Sequence, residues 1–111
     1  MGLRKERLAD EIRDVVAACF AGGQLSDPRL SCVTITAVKL TADLQIATVY
    51  FRIYADQTSV EDAKAGLVSA AGYLRKKVAE AFDIRRVPSL RFKFDESVEH
   101  GSRIESLLAK L

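Results

Sequence analysis

An α+β fold in a single domain spanning residues 1–111 is what the sequence predicts, and three observations predict it. Near the start, Leu8, Ile12, Val15, Val16 and Cys19 recur at helical spacing. From Cys32 to Tyr54 the pattern changes to strict alternation, the signature of strands with one buried face. Finally, 111 residues leave room for one hydrophobic core and no second. A domain of this size buries about two-thirds of its unfolded surface, enough to fold without staples. With 49% hydrophobic and 29% charged residues, the composition is that of a soluble globular chain and excludes disorder.

The first helix is expected from about Leu3 to Phe20, its charged residues mostly on the solvated face. Gly22 and Gly23 are its stop, and Asp27-Pro28 marks a turn. In the first strand Val33, Ile35 and Ala37 alternate with Thr34, Thr36 and Val38. After a turn near Thr41-Ala42-Asp43, Ala47, Val49, Phe51 and Ile53 alternate with Thr48, Tyr50, Arg52 and Tyr54. The two runs form an antiparallel hairpin. Thr58-Ser59-Val60-Glu61 resembles a capping box with Thr58 as the cap. Apolar residues then recur from Val60 to Phe82, interrupted by Gly66 and by Ser69-Ala70-Ala71-Gly72, so two helices meeting at a kink over Ala70, Ala71 and Gly72 are expected. Val87-Pro88 closes that region. Leu90, Phe92 and Phe94 alternate with Arg91 and Lys93 as a third strand. Ile104, Leu107, Leu108 and Leu111 fit a short terminal helix. The resulting order is α-β-β-α-kink-α-β-α, a three-stranded sheet with helices on one face.

Charge is distributed unevenly along this frame. The segment Arg75 to Lys93 carries seven of 17 cations, Arg75, Lys76, Lys77, Arg85, Arg86, Arg91 and Lys93, against Glu80 and Asp83 alone. The rest of the chain holds ten cations and 13 acids, so the formal charge of +2 is a local surplus in a slightly acidic protein. Clustered cations on a small domain are the footprint of a polyphosphate-binding surface, and these seven are the candidate RNA-binding residues. Their bland alternative is a solvated face. Contiguous in sequence, they are expected to lie near one another in space. Arg4, Lys5 and Arg7 sit at a helix N-terminus, where the macrodipole disfavours positive charge, and could extend the basic surface.

An enzyme lacks its parts here. The one histidine, His100, falls in a polar loop, and there is no GxSxG, phosphate-cradling glycine loop or HExxH pattern. Cys19 and Cys32 with one histidine cannot close a zinc site without carboxylate help, and no metal and no cofactor are expected. Neither cysteine belongs to a CxxC pair, and Cys19 on the helix stripe reads as a buried thiol. No apolar run approaches the ~20 residues of a membrane helix. The opening Met1–Arg7 lacks the apolar core of a secretory signal, and a cytoplasmic protein is expected.

The element order and the kinked helix resemble a type II KH domain, in which a GxxG loop between paired helices clamps a nucleic-acid backbone. Here Gly66 and Gly72 are too far apart for that loop, and Ser69-Ala70-Ala71-Gly72 occupies the junction. An alanine kink in place of GxxG is the mark of the ribosome-binding factor A family. The resemblance is carried by Asp27-Pro28-Arg29-Leu30, by Val38-Lys39-Leu40-Thr41-Ala42-Asp43-Leu44 with Ala47 and Val49-Tyr50, by Ala70-Ala71-Gly72-Tyr73-Leu74-Arg75, and by Arg85-Arg86-Val87-Pro88-Ser89-Leu90-Arg91-Phe92, with Asp95 and Gly101-Ser102-Arg103-Ile104 following in order. It runs from about Arg4 to Leu108.

That resemblance implies a non-catalytic assembly factor, a monomer, that binds the free small ribosomal subunit and its ribosomal RNA during late maturation and rRNA processing and supports growth in the cold. The basic half-helix and connection would then meet ribosomal RNA, and the Ala70 kink would set a helix angle rather than grip a backbone. A different class remains open: a protein-interaction module on an α+β scaffold, with the cations as bystanders. Ala70-Ala71-Gly72 could equally be a small-residue packing contact, and Asp27-Pro28-Arg29 only a turn with an exposed arginine.

Overall fold

The fold is described by a computed structural model over residues 2–21, 25–54, 58–82 and 86–96. Helix α1 (Gly2–Ala21) is followed by a single 3-10 turn (Pro28–Leu30), strands β1 (Val33–Leu40) and β2 (Ile46–Ile53), helix α2 (Val60–Phe82) and strand β3 (Ser89–Phe94). The glycine stop at Gly22 and Gly23 and the expected terminal helix lie outside the described residues.

The three strands form one sheet in the order β1-β2-β3. The first pair is antiparallel, as a short hairpin requires, and β3 lies parallel to β2. Parallel neighbours need a long crossover, and α2 supplies it. One face of the sheet receives both helices. Ile12, Val16 and Cys19 from α1 and Ala63, Leu67, Leu74 and Val78 from α2 share one buried cluster with Val33, Val38, Leu40, Ala47, Val49, Phe51 and Phe92 from the strands. Leu8, Val15 and Phe20 pack half-buried against it, so the expected α1 stripe faces the core. The Cys19 thiol donates to the Val15 carbonyl at 3.4 Å, and burial pushes its pKa up. Both cysteines are free.

Three local expectations change. First, β1 does not keep one alternation along its length. Ile35 pairs with Phe51 and Ala37 with Tyr50, so Thr36 is an extra residue, a β-bulge. Beyond it the parity flips: Val38 and Leu40 turn inward and Ala37 is only half-buried. Second, the cap of α2 is Ser59, one residue beyond Thr58, because its Oγ accepts from the Asp62 amide at 3.1 Å. Third, the two helices expected to meet over Ala70, Ala71 and Gly72 are one uninterrupted helix. Ala70 and Ala71 pack half-buried against the core, the small-residue contact, while Gly72 is exposed with open space beside it. Its backbone cost is about 1 kcal/mol, too little to break a helix anchored on both sides by Leu67, Leu74 and Val78.

Asp27-Pro28-Arg29 is a closed turn. Asp27 accepts from the Arg29 amide at 2.9 Å, and the Arg29 guanidinium folds back on the same carboxylate, Nη2 to Oδ2 at 2.6 Å. These bonds hold the Asp27 pKa below the ordinary carboxylate value. Its arginine is a staple rather than a free cation.

Candidate nucleic-acid interface

Period-two geometry decides where the third-strand cations point. Leu90 and Phe92 turn toward α2 and the core, so Arg91 and Lys93 project from the opposite face, which receives neither described helix. On α2 the buried stripe of Leu67, Leu74 and Val78 places Lys76 on the far side of the helix, exposed and directed away from the sheet. The basic segment, contiguous in sequence, is therefore divided by the core.

Its members also differ in what holds them. Arg75 donates from Nη2 to the Val87 carbonyl at 3.1 Å and so ties α2 to the segment entering β3. Lys77 is half-buried, with its Nζ 3.8 Å from Glu80 and 5.4 Å from the Tyr73 ring centroid. Lys76, Arg86, Arg91 and Lys93 are exposed and make no ion pair or hydrogen bond with another described residue. Arg85 lies outside the described residues.

The face opposite α1 and α2 carries more charge than the third strand alone suggested. The register aligns Lys39, Thr48 and Arg91 in one row across the three strands, and Ala37, Tyr50 and Lys93 in the next. Lys39 Nζ stands 5.5 Å from the Tyr50 ring centroid. Arg52 spends its guanidinium on the Asp95 carbonyl at 2.9 Å and lies 5.6 Å from the Phe94 ring centroid. Thr48, Tyr50 and Arg52 were legible from the alternation of the second strand. Lys39 was not, since unbroken alternation from Val33 points it inward, and only the extra residue at Thr36 turns it out. With strands ~4.8 Å apart and a rise of ~3.3 Å per residue, the backbone positions of Lys39, Arg91 and Lys93 lie within about 12 Å of one another.

Other chemistry finds little to build on. Among the described residues no three His, Cys, Asp or Glu side chains come together as metal ligands, and His100 lies outside them. No described helix is long and apolar enough to cross a membrane. A cavity of about 710 Å³ between the start of α1 and the hairpin turn is lined by Arg4, Lys5, Arg7, Leu8, Glu11, Ala42 and Leu44. The N-terminal cations thus face the hairpin turn at one end of the sheet.

Against known proteins, the chain matches the model of one family, Ribosome-binding factor A, over residues 4–108. It is similar to the ribosome-binding factor A of Pelobacter propionicus, 42% identical over 111 residues, which cover all of this chain and 90% of that protein. Its fold is similar to the crystal structure of ribosome-binding factor A from Thermus thermophilus, with a TM-score of 0.73 and 28% identity over 84% of this chain and 97% of that one. A homology model of the Thermus thermophilus factor, fitted into the cryo-EM map of a 30S–RbfA complex, matches at a TM-score of 0.68 and 28% identity, with the same coverage.

Proposed function

The chain belongs to the ribosome-binding factor A family, and from that premise we propose that it binds the free small ribosomal subunit and its ribosomal RNA during late maturation, without catalysing a reaction. The observation that carries this reading is the similar Thermus thermophilus factor, whose fold was fitted into a 30S complex. Lys76, Arg86, Arg91 and Lys93 support it from this chain: exposed cations with no acidic partner among the described residues are available to phosphate. Participation in rRNA processing, support of growth in the cold, a cytoplasmic location and a monomeric state complete the proposal. Lys77, Arg75 and Arg85 remain members of the proposed RNA-binding set, with Arg75 also tying α2 to β3.

Co-sedimentation with isolated small subunits, large subunits and joined ribosomes across a salt series tests it. Selective retention on the free small subunit is expected. If five phosphates are neutralised, log K falls with log salt at a slope of about 3.5 for single strands and about 4.5 for duplex. Equal retention on every particle, or a salt-insensitive complex, would sink the reading.

A further inference from the structure

Lys76 looks outward from the helix side and Arg86 stands exposed in the connection between α2 and β3, whereas Lys39, Arg91 and Lys93 look outward from the sheet. Between them lie the buried stripe of α2 and the sheet itself. A helix with its side chains is about 10 Å across, so one RNA backbone resting on the helix side does not reach the sheet cations without wrapping the molecule. Both sets nonetheless have the composition of a phosphate contact.

The sheet set is the more informative. Three cations held within about 12 Å repel one another, and Arg91 and Lys93 make no ion pair among the described residues, while Lys39 has only its contact with the Tyr50 ring. Arg91 offers the planar fork that grips phosphate through two bonds, and the lysines offer point charges beside it. The half-buried Tyr50 ring lies between Lys39 and Lys93, an aromatic surface beside cations of the kind single-stranded RNA contacts use, in a hollow that Asp95 and Glu96 also line. Among the described residues the exposed aliphatic side chains Leu44, Val60 and Val68 lie off this face, and the exposed Tyr54, just past the end of β2, donates its hydroxyl to the Ser31 carbonyl at 2.7 Å, so no described aliphatic side chain gives this face the apolar centre of a protein interface.

We propose that the chain binds two RNA segments at once, one on the outward side of α2 and one on the sheet face opposite the two described helices, and so ties two parts of the ribosomal RNA together. This rests on the small-subunit reading above and deepens it.

A bridging assay with the full chain tests it. One RNA oligonucleotide of about eight nucleotides, within the site size of a single face, is fixed to beads, and a second carries a fluorophore. Wild-type protein is expected to retain the fluorescent RNA on the beads. The variants Lys76→Glu/Arg86→Glu and Lys39→Glu/Arg91→Glu/Lys93→Glu should each still bind the fixed RNA but retain the second at least tenfold less. An equal mixture of the two variants should not restore retention, because each chain lacks one face.

Wild-type bridging by either variant overturns the proposal, as does restoration by the mixture, which would assign bridging to association between chains. So does a sheet variant that bridges normally yet no longer sediments with small subunits, which would make that face a protein contact. Glutamine versions replace any variant whose circular dichroism shows lost helix. Wild-type protein that sediments with small subunits but never bridges overturns this inference alone. Failure to sediment with them overturns the functional reading instead.

Discussion

A Cβ placed on Gly66 would lie 3.0 Å from Cδ2 of Leu30 and 3.2 Å from Cβ of Arg29. Gly66 is therefore where the 3-10 turn closes on α2, and the absence of a side chain there sets the approach. Leu30 is itself buried and its turn is pinned by Asp27, so neither partner yields easily.

The two glycines of α2 should respond in opposite directions. Gly72→Ala meets nothing within 4 Å and removes a helix penalty of about 1 kcal/mol, so it should stabilise the domain and raise Tm by ~4–8 °C. Gly66→Ala gains the same helix term but overpacks a buried contact, which costs about 1–3 kcal/mol, so a net loss is expected. Thermal unfolding of both variants decides it. A Gly72→Ala protein with lowered Tm would show that the helix needs conformational freedom at that point.

Thr36, the extra residue of β1, donates from Oγ1 to Asp95 Oδ2 at 2.6 Å and so fastens the bulge to the end of β3. Thr36→Val should cost about 1–2 kcal/mol in urea unfolding, in the range of a partly exposed bond to a charged group. Deleting Thr36 altogether should leave a chain that still folds, because the inward set Val33, Ile35, Val38 and Leu40 then alternates regularly. Deleting Thr48 from β2 flips every later residue to the wrong face and should abolish cooperative unfolding. Equal behaviour of the two deletions would contradict the register.

Asp27 gives a pH dependence of definite sign. Its folded pKa is lowered, chiefly by the side-chain bond to Arg29 and then by the Arg29 amide, from an ordinary value of 3.8. A carboxyl with a depressed folded pKa contributes stability that is present above the unfolded value and lost as pH falls through the folded one. Asp27→Asn should therefore be less stable than wild type near neutral pH, and the difference should shrink as pH falls below the ordinary carboxylate value of 3.8. Denaturant titrations at both pH values measure it. A gap that stays constant with pH would assign the loss to the amide geometry alone.

The elements were legible where periodicity was long and unbroken. The α1 stripe at Leu8, Ile12, Val15, Val16 and Cys19 and the alternation Ala47-Val49-Phe51-Ile53 both face the core as spaced. Single-residue events were less visible. One extra residue at Thr36 inverted half of β1, and a cap moved from Thr58 to Ser59, because a serine and a threonine side by side offer the same chemistry. The apparent break at Ala70-Ala71-Gly72 weighed local propensity against nothing, whereas the folded chain sets about 1 kcal/mol of glycine cost against a fully buried stripe. The charge surplus was plain in the sequence. Its division into two faces was not, since contiguity along the chain does not report which side of a sheet a residue occupies.

Arg75 and Lys76 are adjacent cations with different work. Arg75 holds the Val87 carbonyl at 3.1 Å, while Lys76 makes no ion pair or hydrogen bond with a described residue. Arg75→Ala should lower stability by about 1 kcal/mol, the ordinary worth of a hydrogen bond on the surface. Lys76→Ala should leave Tm unchanged within error, since a lone exposed side chain stabilises little. Binding to the small subunit separates them further. If Lys76 neutralises one phosphate, its loss reduces the salt slope by about 0.7 for single-stranded RNA. Arg75→Ala should weaken binding with a smaller change in slope, because the bond to Val87 restrains its charge. Paired measurements of Tm and of the salt dependence of co-sedimentation would show this. A Lys76→Ala protein with an unchanged slope would remove the helix side from the RNA contact and leave the sheet face as the surface to pursue.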